Sequence, residues 1–337
     1  MGCHRRRETS GFDRGASVAA SVMSLATALL GAVPAQAEPY DDTRAEVDRL
    51  YEEAEKATEA YNEADERADA LREQVGVAQD RIARQQERIN TMRESLGALA
   101  GAQYRAGGID PALELLFSDD PDDYLAKAST LDRISDHQAG ALRDLQTAMS
   151  ELADERAEAT RKLEELEKSR RAVALHKETV ESKLAEARRL LNSLPYAERA
   201  AYDRVTRSGR TDLPGLMGAA PASGRAAGAM AAAHSALGRP YVWGANGPGG
   251  FDCSGLTQWA YAQAGVSLPR TSQAQRYAGR QVPLSEARPG DLVFYGADAD
   301  HVGMYAGNGQ VIHAPYPGAP VRYDPVGMMP VSSVTRI

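Results

Sequence analysis

One cysteine and three histidines in the last third of the chain are the residue types able to run nucleophilic chemistry. Cys253 sits in Phe251-Asp252-Cys253-Ser254-Gly255-Leu256, where a glycine-rich loop through residues 244–250 gives way to a helix predicted over Ser254–Ala264. A helix start carries partial positive charge and unpaired N–H groups, which favour thiolate over thiol and lower a cysteine's pKa. The same groups can hold an oxyanion when the sulfur attacks a carbonyl. Such a nucleophile needs a base. His301 and His313, on adjacent predicted strands, are the candidates, whereas His234 lies amid alanines on a helix and reads as a surface or packing residue.

Strand register decides whether the two imidazoles can cooperate, because side chains alternate between faces with period two. A two-residue Asn308-Gly309 turn would set His313 opposite Met304 and put the rings on opposite faces. A three-residue Gly307-Asn308-Gly309 loop with a bulge at Gly309 pairs Gly303 with His313 and brings both rings to one face, their backbone positions about 7–8 Å apart along the diagonal and the rings within contact. The bulged register is the expectation. The chemistry is then acyl transfer: attack on an amide carbonyl, protonation of the departing amine, and hydrolysis of a thioester. It needs no metal or other cofactor. The last 113 residues hold one Cys and three His at spacings unlike a zinc site, with neither a dinucleotide fingerprint nor a phosphate-binding lysine loop.

The elements that must position these residues are a helix near Arg225–Leu237, the helix after Cys253, and three short strands, Asp291–Tyr295, His301–Tyr305 and Gln310–His313. Helices followed by a small antiparallel sheet imply a segregated α+β domain. Both Trp and 7 of the 14 Tyr lie after residue 224, where an ordinary core belongs.

Upstream the pattern changes. Apolar residues recur at alternating spacings of four and three from Leu50 to Leu99, broken only at Gln85, and again from Leu142 to Leu194, broken at Arg156, Arg170 and Lys177. Such a repeat predicts a coiled coil. Gly101, Gly107, Gly108, Pro111 and Pro121 separate the arms, favouring an antiparallel hairpin within one chain. The charged residues of the arms read as a solvated face, and the Gly-, Pro- and Ser-rich stretch that follows reads as a linker. Residues 38–224 carry a net charge of −12 and residues 225–337 of +2, which excludes the broad basic surface of a nucleic-acid binder. At the start, Arg5, Arg6, Arg7 and Arg14 precede an uncharged run ending at Ala35-Gln36-Ala37, the pattern of an export signal cleaved after Ala37. Cleavage removes Cys3 and leaves Cys253 as the single thiol, so no internal disulfide can form.

Six ordered strings carry a family resemblance: Tyr241-Val242-Trp243-Gly244, the string around Cys253, Pro269-Arg270-Thr271-Ser272, Pro289-Gly290-Asp291-Leu292-Val293, His301-Val302-Gly303-Met304-Tyr305 and Val311-Ile312-His313-Ala314. They resemble the NlpC-type cell-wall peptidases, and the layout as a whole resembles the actinobacterial Rip-type endopeptidases. The resemblance implies a papain-like α+β head on a long all-α coiled-coil hairpin. It also implies cleavage of peptidoglycan stem peptides, typically between D-glutamate or D-isoglutamine and diaminopimelate. By the same resemblance Cys253 is the nucleophile, His301 the base and later acid, and His313 the group that orients His301. Tyr241 looks like the tyrosine near the oxyanion site, or is a core aromatic. Asp252 and Ser254 match positions that help hold the stem peptide in some relatives, or Asp252 caps the helix. Trp243 and Trp259 read as packing residues.

The expected layout is a signal at 1–37, a stalk at 38–200, a flexible linker at 201–224 and a catalytic head at 225–337, in a secreted protein associated with the cell wall. The expected partners are stem peptides and a membrane-bound or divisome activator reached through the stalk, with no nucleic acid. A stalk of opposite charge to the head could fold back over the cleft and restrain it. Alternatives are a non-catalytic wall-binding scaffold and an amidase on the same fold.

Overall fold

Alanine, glutamate and arginine fill the first half of the chain, and these strong helix formers build two long helices. α1 runs Asp41–Arg105 and α2 runs Pro121–Ser193, the latter opened by the Asp120 side chain accepting from the Asp122 N–H. The structure, a computed structural model, describes residues 40–105, 120–207 and 220–337, all within the compact unit Tyr40–Ile337. Residues 1–37, most of the expected helix reversal and part of the expected linker lie outside the described residues.

The two helices lie antiparallel. Lys183 pairs with Glu53 at 2.6 Å, the Ser169 hydroxyl donates to the Ala64 carbonyl at 2.8 Å, and Gln85 donates to the Ala148 carbonyl at 3.1 Å. Their apolar contact is broken into separate clusters: Val47, Leu50 and Ala54 on Val180, Leu184 and Ala187; Ala68 and Leu71 on Leu166; Ile89 on Ala148 and Leu152. Alanine-rich positions and the cations at Arg156 and Arg170 explain the gaps. Two expectations need correction. Gly101 stays helical, because one glycine costs a helix only about 1 kcal/mol. Residues 201–207, expected to begin a linker, belong to helix α3, Tyr196–Arg207, since nothing in Ala197-Glu198-Arg199-Ala200-Ala201 breaks a helix. α3 is fastened to α1 where the Tyr202 hydroxyl donates to Asp48 at 2.7 Å.

The C-terminal part is a helical layer on a six-stranded antiparallel sheet. Helices α4 (Gly224–Ser235), α5 (Cys253–Gln263) and the short α6 (Ser272–Gln275) precede strands β1 (Arg280–Val282), β2 (Leu292–Tyr295), β3 (His301–Gly307), β4 (Gln310–His313), β5 (Arg322–Pro325) and β6 (Val331–Arg336). The sheet order is β1-β6-β2-β3-β4-β5. Leu292, Phe294, Val302, Met304 and Ile312 pack with Leu256, Ala260 and Tyr261 of α5, while Val293, Tyr295, Val311 and Val334 form a second cluster. This is the period-two alternation of a sheet covered on both faces. β1, β5 and β6 were not expected from the sequence, because β1 is only three residues long, β5 ends in Pro325, and Ser332, Ser333 and Thr335 interrupt the apolar pattern of β6.

The β3–β4 hairpin reaches the expected face by a different device. Asn308 and Gly309 form a two-residue turn with φ of 51° and 70°, the left-handed pair that matches strand twist. The extra residue sits inside the strand instead, in a bulge between Tyr305 and Gly307, with Gly307 at φ 95°. Beyond it Met304 pairs with Ile312. That register sets His313 opposite Gly303 and both imidazoles on one face. Gly303 permits the approach: a Cβ there would lie 3.2 Å from His313 Cβ.

Candidate active site

Cys253 is the first residue of α5, and Asp252 caps it by accepting the Gly255 N–H at 2.6 Å. Asp252 also accepts the Gly244 N–H at 3.0 Å and two bonds from Arg270, Nη1 at 3.0 Å and Nη2 at 2.5 Å. A fully buried carboxylate is tolerable on these terms, since a guanidinium fork and backbone donors replace its water. The loop before Cys253 is thereby tied to the start of α5.

His301 and His313 stand edge to face, His301 Nε2 lying 2.7 Å from His313 Nδ1, and His313 Nε2 lies 2.9 Å from Asp324 Oδ2. Asp324 also accepts from Arg322 Nε at 2.6 Å. The bonds to His313 and Arg322 outweigh burial and hold Asp324 below its usual carboxylate range. An ionised carboxylate only accepts, so His313 donates from Nε2 and accepts at Nδ1 from His301. Burial pushes His313 down to about 4, keeping it neutral as this arrangement requires. His301 is left with Nδ1, which bonds Glu55, and the Cys253 sulfur, a His301 ring nitrogen and a Glu55 oxygen all lie within 4.8 Å of one another.

Glu55 belongs to α1, which lies directly over the site. Tyr51, Glu55, Glu59 and Asn62 fall at i, i+4, i+8 and i+11, one face of a helix. Tyr51 stacks on Tyr316 with centroids 5.1 Å apart, Glu55 bonds His301 Nδ1, and Asn62 donates to Asp252 at 3.1 Å. Glu59 is the most engaged. It accepts from the Ser254 hydroxyl at 2.7 Å, the Ser272 N–H at 2.7 Å and the Ser272 hydroxyl at 3.0 Å, and its Oε1 is 3.6 Å from Cys253 Sγ. Tyr61 meets Trp243 edge-on at 5.2 Å, and Lys56 reaches Asp300 at 3.5 Å.

The stalk and the sulfur differ in charge from what their local sequence predicts. The acidic residues at 55 and 59 are not solvated, and the thiol is not activated. Burial, then the nearby Glu59, Glu55 and Asp252 carboxylates, push the Cys253 pKa well up rather than down. Burial and the Asp252 charge likewise raise Glu59 to about 7. His301 is raised because the Glu55 carboxylate outweighs burial, and burial raises Glu55 itself. With Cys253 only 1 % exposed, the described state is one in which substrate has no route to the sulfur. A groove of about 680 Å³ stays open beside α1, reaching Glu55, His313, Tyr316 and Arg322.

Residues 238–334 match the protein-family model described as the NlpC/P60 family. They form an NlpC/P60 domain. A protein of Corynebacterium glutamicum described as a probable endopeptidase is 48% identical over 118 residues, 35% of this chain and 56% of that protein. A Mycobacterium tuberculosis protein of the same description is 45% identical over 116 residues, 34% of this chain and 30% of that one. The chain thus spans about half, or less, of the length of these relatives. Among solved structures, the P60 domain of an antigen from M. avium subspecies paratuberculosis is 38% identical, over 34% of this chain and 94% of that one, with a TM-score of 0.32.

Within the NlpC/P60 domain the structure brings together Cys253, His301, His313, Asp252, Ser254 and Tyr241. The Tyr241 hydroxyl is buried and has no hydrogen-bond partner among the described residues. His234 packs on Tyr323, and Trp259 on Phe251. Sequence reasoning missed Asp324, because β5 was not expected. It also gave no role to Arg270, although that residue stood in a quoted string. The stripe at 51, 55, 59 and 62 left one usable signal: all four members lie off the heptad seam of Leu50, Ala54, Ala57 and Tyr61, on a face of their own.

Proposed function

We propose that this protein is a secreted cysteine peptidase that hydrolyses peptidoglycan stem peptides and is held latent by its own α1 helix. The chain Cys253, His301, His313 and Asp324 inside the NlpC/P60 domain carries the reading. Once α1 leaves, Glu55 and Glu59 no longer oppose ionisation of the sulfur. The positive end of α5 then favours the thiolate, and His301 Nδ1 takes the thiol proton. The thiolate attacks the amide carbonyl, and helix-start N–H groups with the Tyr241 hydroxyl receive the oxyanion. His301 protonates the departing amine, and water admitted by the same base cleaves the thioester. Asp324 and His313 hold the His301 ring and its tautomer throughout.

Family resemblance supports the bond between D-glutamate or D-isoglutamine and diaminopimelate. Ser254, the Ser272 N–H and Arg270, which surround the Glu59 carboxylate, would hold the stem peptide beside the sulfur. Residues 1–37 act as the export signal, 38–200 as the stalk and 225–337 as the catalytic unit, placing the enzyme at the cell wall. The long hairpin offers a handle for a membrane-bound or divisome activator that pulls α1 away.

The test is digestion of purified peptidoglycan by the full chain and by Glu55→Ala/Glu59→Ala, with muropeptides read by mass spectrometry. New N-terminal diaminopimelate, more abundant in the double variant and absent after a further Cys253→Ala change, is the expected outcome. Free lactyl sugar ends would assign an amidase instead, and equal digestion by both chains would remove the latch.

A further inference from the structure

We propose that the latent protein binds a soft divalent cation, zinc above all, between Cys253, His301 and Glu55, and that the ion staples α1 to the NlpC/P60 domain. Residue spacing within the C-terminal part does not suggest a zinc site, and the donor that completes this set lies nearly two hundred residues before Cys253, on α1. Docking supplies it: Sγ, a ring nitrogen and a carboxylate oxygen converge within 4.8 Å of one another from three separate elements. Zinc bonded at ~2.0–2.3 Å places tetrahedral donors roughly 3–4 Å apart, so modest side-chain rotations close the set. Thiolate, imidazole and carboxylate together suit zinc rather than calcium or magnesium.

Two further features fit an ion here. The His301 ring is oriented as a metal ligand requires, because Nε2 donates into the relay to His313 and Asp324 while Nδ1 faces the Glu55 carboxylate, the contact an ion would enter and bridge. A zinc histidine is usually held by a hydrogen bond from its other ring nitrogen, and here His313, itself bonded to Asp324, supplies that support. The 680 Å³ groove that stays open with α1 in place is lined by Glu55, one of the three ligands, and by His313, the neighbour of the second. Three protein donors leave a fourth position for water.

On binding, the thiol proton and the proton between Glu55 and His301 pass to solvent, so charge repulsion among the acidic groups is replaced by attraction to the ion. One ligand comes from α1 and two from the domain it covers. The ion therefore occupies the nucleophile and the base while adding to the affinity of the latch.

This inference rests on the docked α1 of the proposed latent state, and the experiment separates the two. Full-length protein is titrated with zinc against a chromophoric chelator, and with cobalt followed by absorbance, for wild type, Glu55→Gln and Cys253→Ser. One zinc per chain, a thiolate-to-cobalt charge-transfer band, loss of both in Cys253→Ser and affinity at least ~10-fold weaker in Glu55→Gln are expected. Absence of stoichiometric binding overturns the site, as does equal affinity in Glu55→Gln, which would place the ion on the domain alone. Muropeptide digestion by Glu55→Ala/Glu59→Ala in excess chelator reports the peptidase independently. Digestion without zinc binding sinks the metal site only, and zinc binding without digestion sinks the peptidase only.

Discussion

At the residue scale the relay behind the nucleophile divides the labour among unlike groups. Asp324 stays ionised, His313 stays neutral at about 4, and His301 alone is left to exchange protons with the sulfur. His313→Ala in the Glu55→Ala/Glu59→Ala background is expected to lower kcat by ~10²–10⁴ with KM little changed, because it removes orientation rather than substrate contact. Tyr241 makes a sharper case. A buried hydroxyl without a partner costs stability, by about 1–3 kcal/mol, so its presence beside Cys253 asks for a use. Tyr241→Phe should therefore lower kcat by ~10²-fold while leaving the unfolding free energy equal or higher, measured by denaturant titration. Lower stability with unchanged kcat would make the residue a core aromatic.

At the element scale the proposed double use of α1, as stalk and as latch, rests on its two faces burying different things. Leu50 and Ala54 pack on α2, while Glu55 and Glu59 reach across to the catalytic groups. Glu59 makes the latch pH-dependent in metal-free protein. Docked, its pKa is about 7; released, it returns to ~4.3. The docked state binds the proton more tightly, so its contribution to docking is complete below ~4.3 and lost as pH rises through 7. Digestion by the full chain, divided by that of Glu55→Ala/Glu59→Ala to cancel the pH profile of catalysis, should climb between pH 5 and 8. Glu59→Gln, permanently neutral, should flatten that climb and stay latent at pH 8. A parallel climb in the Gln variant would move the dependence elsewhere.

At the scale of the whole molecule the opposite net charges of the two regions matter less than the fit between them. The latch contacts are buried, and Tyr51 on Tyr316 with Tyr61 on Trp243 seals the ends of the covered stretch. At 1 M salt the screening length falls to ~3 Å, which abolishes attraction between distant surface charges but leaves short buried pairs nearly intact. The rate of peptidoglycan digestion by the full chain should thus change less than about 2-fold between 0.1 and 1 M potassium chloride. A steep rise with salt would mean that long-range charge holds α1 in place.

The sequence alone determined what is written in local order. The cysteine at a helix start, the two histidines on neighbouring strands and the long helices each follow from spacing and residue type within a short window. Tertiary structure decided the rest, because it depends on distant residues meeting. Glu59 reaches Cys253 across 194 positions and Glu55 reaches His301 across 246. No periodicity encodes such a meeting. Even the sign of the thiol's pKa shift was settled this way: the helix start favours the thiolate locally, but burial under α1 and two imported carboxylates outweigh it.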